Sequence, residues 1–243
     1  VEERGMQYDR RWMLVDEQNN FITQRLHPNM ALLRVEITNE LLTIKHKKNK
    51  LSPLTIHPMP YDDEEVNVQI WKDNVTALKY NIDVNNWFTE AIGFKCCLVY
   101  MPDSTRRTVN PEFALNKIVG FADGYPFLII GRSSLDDLNS KLQKPLPMNR
   151  FRTNFVFTGG EPFEEDGWKE FKIGDVKFVA VKPCARCVIT TTNQETAERA
   201  HEPLLTLSKF RKIDGKVMFG MNLVAEGTGK VIVGDEIKIN DTK

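Results

Sequence analysis

Apolar and polar positions alternate with a period of two over much of the first hundred residues, as they do in strands with one buried face. Residues 11–16 and 21–24 flank the turn Glu17-Gln18-Asn19-Asn20, which predicts a hairpin. Residues 32–37 and 41–45 predict a second hairpin, and residues 54–56 and 66–71 continue the alternation. Short strands at this spacing predict a small barrel or a curled sheet. The period changes at residues 84–92, where Trp87, Phe88 and Ile92 share the apolar side of a helix. Asp83 is its expected N-cap and Gly93 its stop.

Residues 105–124 are polar and irregular, with Arg106-Arg107, Asn110-Pro111 and Ala122-Asp123-Gly124, and read as a long loop. Pro126-Phe127-Leu128-Ile129-Ile130 has the pattern of a buried strand. Ser133 or Ser134 is expected to cap a helix that runs through Leu142, with Leu135, Leu138 and Leu142 on one face. Residues 154–158 predict a strand that ends at Gly159-Gly160. Residues 175–181 and the β-branched run 188–192 predict strands on either side of a cysteine turn. Pro203 starts a short helix that offers Leu204, Leu205, Leu207 and Phe210 for packing. Residues 230–239 read as two short strands around Gly234-Asp235. The fold class is mostly β, of the α+β kind, with a few helices.

At 243 residues the chain is one large domain or two modest ones, and 41% hydrophobic residues are ample for a core. Lys plus Arg and Asp plus Glu are both 33, so the net charge is zero and no basic surplus points to a nucleic-acid polymer. No run of about 18 apolar residues is present, so no membrane helix is expected. Four cysteines in a chain of this length do not make a disulfide framework, and a reducing, cytoplasmic setting is expected. Cys96-Cys97, in a strand-like run, read as small packed thiols.

The richest chemistry is Lys182-Pro183-Cys184-Ala185-Arg186-Cys187. A redox C-x-x-C opens a helix, whereas this one follows a strand. Structural zinc needs four ligands, and the four histidines (His27, His46, His57, His201) show no ligand spacing. One thiolate is enough for a metal whose remaining ligands come with a cofactor. Arg186 suits such a site, since a cation beside a thiol favours the thiolate and a guanidinium binds phosphate with two parallel hydrogen bonds. Arg10-Arg11 and Arg150-Phe151-Arg152-Thr153-Asn154 add further positive charge beside predicted strands. His201, Gly159-Gly160 and Gly227-Thr228-Gly229 read as loop residues, not as a base or a phosphate cradle.

These segments together resemble the MOSC family, the molybdenum-cofactor sulfurase C-terminal domain proteins. Within it they resemble the group with an N-terminal β-barrel domain, which includes the mitochondrial amidoxime-reducing component and bacterial relatives. The resemblance runs from Gly5-Met6-Gln7-Tyr8-Asp9-Arg10-Arg11-Trp12 through Phe121-Ala122-Asp123-Gly124-Tyr125-Pro126, Arg150-Phe151-Arg152-Thr153-Asn154 and the cysteine turn to Phe219-Gly220-Met221-Asn222. It implies a small β-barrel-like domain over residues 1–100 and a β-barrel MOSC domain over 101–243. It implies a molybdenum–molybdopterin cofactor, with Cys187 the catalytic residue and protein ligand to the metal and Cys184 its neighbour. Arg10, Arg152, Asn154, Ala185 and Arg186 would hold the pterin and its phosphate. Asn222, which stands where a relative carries tyrosine, and Gly124-Tyr125, which stand where it carries small hydroxyl residues, would be further cofactor contacts. The family's lysine–serine pair lies on a strand upstream of the arginine motif and would precede Val1. Pyridoxal phosphate is a further group associated with the family.

The activity implied is reduction of N-hydroxylated compounds: amidoximes, hydroxylamines and N-hydroxylated bases. Electrons would come from a separate protein of iron–sulfur, flavin or cytochrome type, with Asp123 and Arg106-Arg107 at the substrate rim. Two other readings stay open. One is a non-catalytic carrier of molybdopterin or sulfur, and the other is a β-rich structural protein with a zinc clip.

Overall fold

The computed structural model describes residues 1–61 and 64–243. They divide into two compact units interleaved in sequence. The N-terminal unit is Tyr8–Arg107 with Thr192–Arg199, and the C-terminal unit is Val1–Gln7, Thr108–Thr191 and Ala200–Lys243. The class is mostly β with a few short helices, as the alternation requires.

In the N-terminal unit, β1 (Trp12–Val15), β5 (Glu65–Ile70), β6 (Asp73–Lys79) and β7 (Cys97–Tyr100) form a sheet in the order β1-β7-β6-β5. The strands β2 (Leu33–Thr38), β3 (Leu41–His46) and β4 (Leu54–Ile56) form a second sheet in chain order. The β2–β3 hairpin matches its pattern, with Leu33 opposite His46 and Thr38 opposite Leu41. The expected hairpin over 11–24 shrinks to one bridge between Val15 and Phe21. Asp16 Oδ1 accepts from the N–H groups of Gln18 and Asn20, which closes the chain into a tight turn, and β1 takes its ladder from β7 instead.

Helix α1 (Ile82–Ile92) starts earlier than expected because Asn81, not Asp83, caps it: Asn81 Oδ1 accepts from Val84 N–H at 3.1 Å. Asp83 lies in the first turn, where its charge meets the positive end of the helix. Gly93 ends the helix at φ 86°. Phe88 and Ile92 pack with Leu14, Leu42, Ile44 and Leu98. Cys96 is buried among them, and burial pushes its thiol up to about 11, so it behaves as a packing residue.

The C-terminal unit holds β8 (Phe127–Gly131), α2 (Arg132–Ser140), β9 (Phe155–Phe157), β10 (Trp168–Ile173), β11 (Val176–Ala185), α3 (Leu204–Leu207), β12 (Lys212–Ile213), β13 (Lys216–Ala225) and β14 (Ile237–Thr242). Its sheet runs β14-β10-β11-β13-β8-β9, with β12 on β13 and only the β8–β9 pair parallel among these ladders. One face of β8 meets an aromatic core in which Phe127 lies edge-on to Phe178 at 5.5 Å. The other face, Leu128 and Ile130, packs on Leu135, Leu138, Phe151, Leu207 and Phe219. Burial on both faces is why β8 reads as a continuous apolar run.

Several local expectations change. Helix α2 starts at Arg132 without a side-chain cap and stops at Ser140, short of Leu142. Ser134 turns inward to the buried carboxylate of Glu165, at 2.9 and 3.0 Å, and Glu165 also accepts from Gly131 N–H at the helix start. A distant acid thus takes the place of the expected serine cap. Residues 188–191 form a 3-10 turn, not a strand. Thr190 and Thr191 hydroxyls donate to the carbonyls three residues back, which favours a turn over the extended form. Of residues 230–239, only Ile237 onward is in a strand. Leu207 of α3 is buried, while Leu205 and Phe210 are exposed.

Candidate functional site

Strand β11 ends in the cysteine segment and is held by β13 on one side. Between Ala180↔Leu223 and Lys182↔Asn222 the ladder carries an extra residue on β11, and between Pro183↔Met221 and Ala185↔Met218 an extra residue on β13. The two bulges flank Lys182-Pro183. Proline cannot donate to the ladder, and Gly220 on β13 adopts φ 80° to absorb the second bulge. Cys184 therefore lies within a strand opposite a bulge, and Cys187 lies just past the strand end, at the entrance to the Val188–Thr191 turn. The expected turn between two strands is thus a strand followed by a 3-10 turn. Both cysteines are half-buried.

Arg186 organises the segment. Its backbone N–H donates to Val217 O at 2.8 Å. Its guanidinium donates to Phe151 O at 2.6 Å and to Cys184 Sγ at 3.0 Å, and sits over the Phe151 ring. Its Nε is buried without a partner. The arginine therefore meets the first cysteine, not Cys187, and is tied inward by a carbonyl. Arg150, which the sequence offered only as one charge in a basic run, is 8% exposed and donates to Thr190 O at 3.3 Å. Burial holds its pKa below the ordinary arginine value, and no carboxylate pairs with it among the described residues.

The other expected site residues fall as follows. Arg152 is exposed, at φ 55°, and closes the 3-10 turn Met148–Phe151. Asn154 Oδ1 accepts from Leu128 N–H at 3.0 Å, which joins β9 to β8. Asn222 is half-buried on β13 and donates to Lys182 O at 3.2 Å. Ala185 is exposed at the end of β11. Gly124 and Tyr125 lie in the loop before β8, where Tyr125 packs on Val109, Val119 and Ala122 and burial pushes its hydroxyl up to about 12. Arg10 belongs to the N-terminal unit, at φ 52°, in an ion pair with Asp9. Arg107, of the same unit, is buried against Asp73 at 2.8 Å.

One neighbourhood thus gathers Cys184, Arg186, Cys187 and Thr190 with Arg150 and Phe151. Among the described residues no group of three or more His, Cys, Asp or Glu could hold a metal ion, which leaves the zinc clip without its ligand set. No helix among them is long and apolar enough to cross a membrane.

The family model for the MOSC domain matches residues 116–238, more than half of the chain, and that for the MOSC N-terminal beta barrel domain matches residues 1–95. The mitochondrial amidoxime reducing component 2 of Rattus norvegicus is 32% identical over 250 residues, covering 96% of this chain and 73% of that protein. The mitochondrial amidoxime-reducing component 1 of Mus musculus is 28% identical over 253 residues, covering 96% and 74%. The molybdenum cofactor sulfurase of Oryza sativa subsp. japonica is 30% identical over 261 residues, covering 97% of this chain but only 31% of that protein. The chain therefore spans about a third of the sulfurase and about three-quarters of the amidoxime-reducing components.

Proposed function

Because the chain belongs to the MOSC domain family, we propose that its cysteine segment binds a molybdenum–molybdopterin cofactor and that the protein reduces N-hydroxylated compounds such as amidoximes, hydroxylamines and N-hydroxylated bases. Electrons come from a separate protein of iron–sulfur, flavin or cytochrome type. The observation that carries this reading is Cys187 itself: a half-buried thiol on a tethered turn, with no further metal-ligand cluster around it among the described residues. Such a site suits a metal that brings its other ligands. The donor set fits an anionic group too, since among the described residues Arg150 is buried without a carboxylate and Arg186 Nε is buried without a partner.

When bound, the cofactor supplies the two-electron chemistry that cleaves the N–O bond. Cys187 supplies the thiolate ligand. Arg152 and Asn222 are the polar side chains assigned to the pterin and its phosphate, and Ala185 leaves the backbone beside the ligand free of bulk. Arg186 ties the segment to Phe151 O, and Asn154 joins β9 to β8 through Leu128 N–H. Gly124 and Tyr125, in the loop before β8, are assigned to the cofactor as well.

The test is expression in a host that makes molybdenum cofactor, followed by metal and pterin analysis and by turnover of an aromatic amidoxime with a chemically reduced viologen as electron source. Roughly stoichiometric molybdenum, lost in Cys187→Ser without loss of fold, is expected. Zinc without pterin, or an active Cys187→Ser protein, would overturn the reading. The likeness to cofactor sulfurases favours a second reading, a carrier of molybdopterin or sulfur, which would hold the cofactor yet turn over no N-hydroxylated substrate.

A further inference from the structure

Resting on that reading, we propose that Arg150 is a positioning residue: with Arg186 it forms a reciprocal latch that presses the Cys187 turn onto the Met148–Phe151 turn and fixes where the thiol points. The two hydrogen bonds run in opposite directions between the same two segments. Arg186, beside Cys187, donates into the first turn at Phe151 O, 2.6 Å away. Arg150, beside Phe151, donates back at Thr190 O, 3.3 Å away. Thr190 in turn holds the ligand residue, since its N–H and its Oγ1 both donate to Cys187 O, at 3.1 and 3.0 Å. Arg150 therefore reaches the cysteine backbone through one threonine.

The remaining parts are rigid. Phe151 is fully buried and packs on Phe219 at 4.5 Å between ring centroids. Thr190 and Thr191 are 1% and 3% exposed. A further backbone tie on this turn is Ala200 N–H to Thr191 O. A buried guanidinium whose hydrogen bond goes to a neutral carbonyl costs more than a buried apolar side chain of the same length. Simple packing does not account for it, whereas fixing the threonine whose N–H and hydroxyl hold the metal ligand does. The same positive charge, close to the turn, also complements an anionic cofactor.

The experiment compares wild type, Arg150→Met, Arg150→Lys and Thr190→Val. Amide hydrogen exchange at Thr190 and iodoacetamide labelling of Cys187 against Cys184 are read on protein made without the cofactor. Molybdenum retained after desalting is read on protein made with it. In Arg150→Met we expect Thr190 exchange to rise about tenfold or more, because a charge-assisted bond is lost. The labelling ratio should shift and the molybdenum should be lost, while the β10–β11 amides stay protected. Arg150→Lys should recover much of the protection, since it keeps the charge and a donor. Thr190→Val should loosen the same turn by removing one of its two bonds to Cys187, and it serves if Arg150→Met does not fold. Wild-type exchange and labelling in Arg150→Met overturn the latch, as does uniform loosening that Arg150→Lys does not rescue. Absence of molybdenum from wild type overturns the cofactor reading alone, and the exchange and labelling data still decide the latch.

Discussion

Replacing Gly220 by alanine strikes the point where the cysteine strand is braced. Gly220 lies in β13 at φ 80°, in the bulge that faces Cys184. A Cβ there would sit 2.6 Å from Ile130 Cγ1, 3.0 Å from Ile129 O and 3.2 Å from Leu128 Cδ1. Ile130 is fully buried in the cluster with Leu135, Leu138 and Phe151, so its side chain has little room to swing, and the Ile129 carbonyl belongs to a central strand. The left-handed backbone costs alanine about 1–2 kcal/mol and the overpacking about 1–3 kcal/mol, so the total is about 2–5 kcal/mol. That is a large share of the roughly 5–15 kcal/mol that holds a typical fold. For a chain of this size it lowers the melting temperature by about 4–20 °C. Relief of the clash pushes β13 away from β8, and β13 carries Val217, whose carbonyl receives the Arg186 N–H. Thermal unfolding followed by near-ultraviolet circular dichroism measures the loss, and exchange at the Arg186 amide reports the disturbance at the cysteine segment. A melting point within about 2 °C of wild type, with the Arg186 amide still protected, would refute both the strain and the bracing.

Other changes test other links. Burial raises the pKa of Glu165, and Asp166 adds to the shift, against the opposing hydrogen bonds from Gly131 and Ser134. A carboxyl whose folded pKa lies above its unfolded value keeps its proton in the folded state when the unfolded chain has lost it. Its stabilisation is therefore complete below the unfolded value near about 4.3 and fades as pH rises through the folded one. Glu165→Gln is expected to remove that fall, and urea midpoints of wild type and variant that move in parallel across weakly acid pH would refute it. Asn81→Ala removes the acceptor of the Val84 N–H and should cost about 1 kcal/mol, with Asn81→Asp near wild type. Equal denaturation midpoints for all three would show that the cap carries no stability.

Elements whose signal is local were legible in the chain. The β2–β3 hairpin, the all-apolar β8 and the Gly93 stop of α1 each follow from a few neighbouring residues. The order of the arginine, glycine–tyrosine, arginine–asparagine and cysteine motifs was likewise enough to recognise the family, and both family models match. Elements that depend on distant partners were not legible. Val188–Thr191 reads as a strand by β-branching, yet two threonine hydroxyls fold it into a turn. Ser134 reads as a cap, yet Glu165, 31 residues away, draws it inward.

The sequence by itself therefore determined the β class and the family membership, because those rest on residue type, period and order. Only the tertiary structure decided that Arg186 points at Cys184 and Phe151, that Asn154 serves Leu128, and that Arg150 reaches the cysteine turn. The direction of a guanidinium or an amide is set by which carbonyl or N–H a distant strand brings within about 3 Å, and the chain order does not encode that distance locally.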